Sequence, residues 1–127
     1  MLTLTLKELI ATSIRSLDEL HALVTCAQER DRWWDGADVR QETGMATSVA
    51  ERALENLARR NFLDVRIGGT LRYQFSPASP DLELTVLALL DAYHKSPVAV
   101  TQFVAEAMQR HLRDFSDAFR IRPDDTR

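Results

Sequence analysis

The sequence predicts a mainly α protein with one small β-hairpin. Apolar residues recur at the three-and-four spacing of amphipathic helices over most of the chain. One stretch alone, "DVRIGGTLRYQF" (64–75), alternates apolar and polar residues around a Gly-Gly pair. The length, 127 residues with 45% hydrophobic and 28% charged side chains, is that of one ordinary globular domain able to bury a core without staples.

The elements follow in order. Leu2, Leu6, Leu9, Ile10 and Ile14 have helical spacing over 2–14, with threonines weakening the first turn. Ser16 and Glu19 form a capping-box pair ahead of Leu17, Leu20, Leu23, Val24 and Ala27, which predicts a helix over 17–29. "ERDRWWDG" breaks the pattern. Asp35 is placed to cap a short helix over 36–43 that Gly44 stops. Thr47 or Ser48 then caps a longer helix over 47–62, whose Val49, Ala50, Ala53, Leu54, Leu57 and Ala58 form one buried stripe.

The hairpin register follows from its faces. A two-residue loop at Gly68-Gly69 would put apolar residues on both sides. A three-residue loop over 68–70 pairs Ile67 with Leu71 and Val65 with Tyr73. It gathers Val65, Ile67, Leu71, Tyr73 and Phe75 on a face to be buried and sets Arg66 opposite Arg72 on the other. "SPASP" (76–80) marks a boundary between a unit at 1–77 and a helical extension at 78–127. In the extension a strongly apolar helix is expected over 81–94, then a second from Pro97 capped by Ser96, with a break near 110–112.

Several function classes lose support. A single cysteine, Cys26, forms no disulfide within the chain and fits a reducing cytoplasm. No basic n-region precedes an apolar run at the N-terminus, so no signal peptide is expected, and no apolar run nears the ~20 residues that span a bilayer. His21, His94 and His111 lack metal-ligand spacing, and no nucleophile stands with a base, so neither metal, cofactor nor catalysis is expected. Net charge is −3. Residues 36–75 carry 6 basic and 5 acidic side chains and form the only net positive segment. Trp33 and Trp34 point to opposite faces if extended, one into the core and one toward the surface.

The order short helix, tight turn, longer helix, hairpin, carried by "QETGMATSVAERALENLARRNFLDVRIGGTLRYQF", resembles the winged helix-turn-helix family of bacterial transcriptional regulators over about 17–77. The resemblance implies a cytoplasmic, non-catalytic protein that binds double-stranded DNA, with 47–62 as recognition helix and 63–75 as wing. Carried over by position, Thr47, Ser48, Glu51 and Arg52 face the bases, with Glu55 and Arg59 further along. Arg66 and Arg72 meet phosphates, and Arg40 supports from the short helix. Glu51 and Glu55 would repel phosphates unless one accepts from a cytosine amino group. Winged helices also serve as protein-interaction adaptors, the alternative reading here. In regulators of the MarR and PadR type the terminal helices form a homodimer, and the ending "DFSDAFRIR" is similar to the tails of small bacterial winged-helix proteins. Leu84, Leu87, Tyr93, Phe115 and Phe119, an apolar excess for one small core, are accordingly expected at a dimer interface.

Overall fold

The computed structural model describes the backbone over residues 4–119 and the side chains over 6–110 and 112–113. Six helices and one hairpin follow in the order α1 (Leu4–Ser13), α2 (Leu17–Gln28), α3 (Gly36–Thr43), α4 (Thr47–Arg59), β1 (Leu63–Gly68), β2 (Thr70–Phe75), α5 (Pro80–Lys95) and α6 (Pro97–Phe119). The chain is therefore mainly α with one two-stranded antiparallel sheet among the described residues.

Local chemistry sets most boundaries. Ser16 caps α2 by accepting the Glu19 N–H at 3.1 Å, but Glu19 does not complete the expected box; its carboxylate accepts from the Arg15 N–H at 2.9 Å. Asp35 and Asp38 do form a reciprocal box at the start of α3. Gly44 ends α3 at φ 84°, the left-handed conformation that favours glycine. α4 begins differently from expectation: Ala46 occupies the cap position with no side-chain hydrogen bond, and Thr47 and Ser48 already lie inside the helix. Asn61 turns the chain out of α4 at φ 74°, and the Phe62 N–H returns to the Leu57 carbonyl at 3.0 Å. The expected break near 110–112 is not present, because α6 runs unbroken from Pro97 to Phe119.

One apolar core joins every helix to the base of the hairpin. α2 packs on α3, α4, α5 and α6, while α1 lies against α5 and α6. This absorbs much of the apolar excess of the C-terminal helices. Val86, Leu89, Val100, Val104 and Ala107 are buried together with Leu6, Leu9 and Ile10 of α1 and Ile14 just after it. Of the residues expected at a dimer face, Leu84 is exposed, Leu87 and Tyr93 are half-buried, and the side chains of Phe115 and Phe119 lie outside the described residues.

A polar link fastens α4 to the first two helices. Glu19, buried in α2, pairs with Arg60 and accepts from Asn56 Nδ2 at 3.0 Å; Arg60 also donates to the Ser13 carbonyl at 3.0 Å. A charge this deep is tolerated because its oxygens find three donors.

Hairpin register agrees with the sequence expectation: Leu63 faces Phe75, Val65 faces Tyr73, Arg66 faces Arg72 and Ile67 faces Leu71, with Gly69 at the tip at φ 83°. Its burial does not. Only Leu63, Tyr73 and Phe75 enter the core; Val65 and Leu71 are each 48% exposed and Ile67 80%. Six-residue strands reach about 20 Å, and the layer beneath them, built from Trp34 and α4, supports only the base. Trp34 is buried and pairs with Tyr73 through two backbone hydrogen bonds of 2.7 and 2.8 Å, a one-residue third strand. Trp33, on the opposite side, is half-buried beneath Arg66, whose guanidinium lies 4.5 Å from its ring centroid.

Candidate functional site

α4 presents three faces. Ala50, Ala53, Leu54 and Leu57 enter the core. Opposite them Ser48, Arg52, Glu55 and Arg59, spaced by four, three and four residues, make one exposed stripe. On its flank Thr47, Glu51 and Glu55 turn toward the hairpin and, with Asp35, Gly36, Ala37, Thr70, Leu71 and Tyr73, line an open groove of about 510 Å³. Arg52 leans the other way, into a shallow depression shared with Asp18, Val49 and Asn56.

This placement alters the charges expected on the face. Glu51 belongs to the groove wall more than to the outward stripe. Glu55 is paired with Arg59 at 3.2 Å, and Arg59 also donates to Asn56 Oδ1 at 3.0 Å. Arg40, Arg52 and Arg72 are exposed and form no ion pair among the described residues. Arg66 and Arg72 share the hairpin face turned away from the groove. Thr47 is half-buried at the groove rim and Ser48 is exposed at the start of the stripe. Because no side chain caps α4, its first-turn N–H groups have no capping acceptor.

Two determinants of this geometry escape sequence reasoning. A Cβ on Gly36 would lie 2.5 Å from Glu51 Cγ and 3.1 Å from the Thr47 carbonyl oxygen, so the missing side chain lets α3 approach α4. Tyr73 lies in the groove floor, where burial first and then the Glu55 and Glu51 carboxylates hold its phenol above the usual range. A glycine at the start of a short helix and a strand tyrosine carry no such signal in a sequence.

The remaining candidates separate from this face. Burial pushes the Cys26 thiol up to about 12, against a smaller opposing pull from Arg32, so it is a protonated core side chain at neutral pH. His21 meets the Tyr93 ring edge-on, and His94 bonds to Gln28 at 2.8 Å. Among the described residues no three His, Cys, Asp or Glu side chains are grouped to hold a metal ion, and no helix is long and apolar enough to cross a membrane. Comparison with protein-family models and with curated proteins finds no match for this chain.

Proposed function

We propose that the chain is a winged helix-turn-helix transcriptional regulator that binds duplex DNA through α4 and the hairpin, acting by binding and not by catalysis. The observation that carries this reading is the set of exposed donors on adjoining elements: the outward stripe of α4, its uncapped first turn and the paired Arg66 and Arg72 of the hairpin. The first-turn N–H groups of a helix are donors suited to a phosphate oxygen. An arginine fork suits either a phosphate or the O6/N7 edge of guanine. In this arrangement Arg52 reads from the major groove, Arg66 and Arg72 hold the flanking backbone, and Arg40 supports from α3. Pairing of Glu55 with Arg59 and displacement of Glu51 toward the groove relieve the repulsion that their positions in the sequence suggest.

Four arginines on one small unit make for modest monomer affinity, so the proposal includes a homodimer, which doubles the phosphate contacts. Among the described residues, Leu84, Val98 and Leu112 are the large exposed apolar side chains that α5 and α6 offer to such an interface. The compartment proposed is the cytoplasm, where DNA lies and where a lone thiol stays reduced.

Fluorescence anisotropy with mixed-sequence duplex at low salt tests this. Affinity should fall steeply with added salt, with a log–log slope of about −0.9 per phosphate neutralised. Arg66→Ala with Arg72→Ala should weaken all sequences alike and lower that slope by about two per protomer, whereas Arg52→Ala should relax sequence preference. No binding at micromolar protein refutes the proposal. Sedimentation equilibrium tests the dimer, which requires twice the 14.4 kDa chain mass.

A further inference from the structure

The proposed DNA face meets the groove between α4 and the hairpin only at Thr47 and Glu55 and leaves the rest of it unused. Its hairpin wall is made by Thr70, Leu71 and Tyr73, and the apolar Ile67 and Val65 continue the face of Leu71 and Tyr73 beyond it. At 80% exposure Ile67 is the most exposed large hydrophobic residue among those described. A contiguous apolar face rimmed by polar residues marks a protein-interaction surface on a soluble chain. The mount is firm, since Leu63, Tyr73 and Phe75 anchor the strands in the core and Trp34 clamps Tyr73. The opposite wall carries Glu51, which has no cationic partner among the described residues, and Glu55, which shares Arg59; Asp35 closes the end.

We propose that this groove docks a basic segment of another protein, one that places a bulky aliphatic side chain between lysine or arginine residues. The apolar strand face supplies the contact area, and the carboxylate wall sets the sign of the partner. Charge complementarity selects this occupant: the aliphatic side chain covers Ile67 and Leu71 while the flanking cations meet Glu51 and Glu55. An acidic segment would meet like charge on that wall, a cost that excludes wrong partners. A phosphate strand is disfavoured for the same reason and would leave the apolar face bare. The inference does not depend on duplex binding, which uses the outward stripe of α4 and the far side of the hairpin.

The test uses the full chain and two fluorescein-labelled twelve-residue peptides, one repeating Arg-Leu-Arg and one repeating Glu-Leu-Glu. The basic peptide should bind and the acidic one should not. Ile67→Asp and Glu51→Lys should each weaken the basic peptide by about tenfold or more, as expected for loss of one buried aliphatic contact or one complementary charge. Asp91→Lys makes the same charge change on exposed α5 and should leave binding unaltered. Because Ile67, Glu51 and Asp91 are all exposed, circular dichroism should find the three variants folded like the parent. Equal weakening by Asp91→Lys would reduce the effect to net charge and overturn the proposal. So would equal binding of both peptides, or binding of neither. An Ile67→Asp variant that dissociates a homodimer in sedimentation would assign the face to a second copy. A Glu51→Lys variant that gains duplex affinity with peptide binding unchanged would assign the groove to DNA.

Discussion

The two ends of the hairpin share one alternation of residues and have opposite environments. At the base, Leu63 and Phe75 are nearly inaccessible; at the tip, Ile67 and Leu71 occupy the same strand face and remain open to solvent; between them Tyr73 is buried while Val65, directly opposite, is half exposed. Alternation determines which side of a strand a residue faces. It does not determine how far the layer beneath extends. The base is part of what holds the fold together, and the tip is surface available to a partner.

The same contrast divides the arginines of α4 and its cap. Arg60 is committed to the buried Glu19 and to the Ser13 carbonyl, whereas Arg52, two turns earlier, has no ionic partner among the described residues. One joins helices; the other is exposed to solvent.

Substitutions at the base should have the largest effects. Phe75→Ala should lower unfolding free energy by about 3–5 kcal/mol, as for other buried aromatic truncations, read by urea denaturation. Ile67→Ser at the tip should stay within about 0.5 kcal/mol of the parent, the range of ordinary surface changes. Comparable losses at the two sites would erase the distinction. Arg60→Met leaves the Glu19 carboxylate buried without its cation and should cost about 3 kcal/mol, at the lower end for broken buried pairs because Arg60 is partly solvated. Arg52→Ala should cost almost nothing in the same assay while altering DNA selectivity.

A further effect should appear in alkali. The Cys26 thiol titrates near 12 in the folded chain and near its ordinary 9.0 once unfolded. The unfolded chain therefore releases its proton first as pH rises. This contribution to stability is complete below about pH 9 and is lost as pH climbs toward 12, with Tyr73 acting in the same direction. The urea midpoint should fall over that range, and Cys26→Ala should flatten the fall. At pH 8 the native thiol should resist Ellman's reagent until denaturant is added.

Much of the fold was legible in the sequence because it rests on local chemistry. Ser16, Asp35 and Gly44 mark helix ends through groups within a few residues of them, and the Gly-Gly pair with flanking alternation determines the hairpin register. What the sequence concealed depends on distant contacts. The apolar helix α5 suggested a missing partner, and α1, whose threonines obscured its start, covers part of it from within the same chain. Glu19 looked like half of a capping box, but its two carboxylate oxygens reach Arg60 and Asn56, some forty positions away. The candidate site was legible as a set of exposed residues on the expected elements. Its division was not: helical spacing alone does not reveal that Glu51 turns to the hairpin while Arg52 turns to α2, because Gly36 and the hairpin's overhang create that groove.

The most direct measurement is an amide NMR titration of the full chain with duplex DNA, mapping which residues respond. The account predicts shifts over 47–52 and at Arg66 and Arg72, with the core-facing positions Val86, Leu89, Val100 and Val104 of α5 and α6 unmoved. Shifts confined to α5 and α6, or none at saturating duplex, would contradict it.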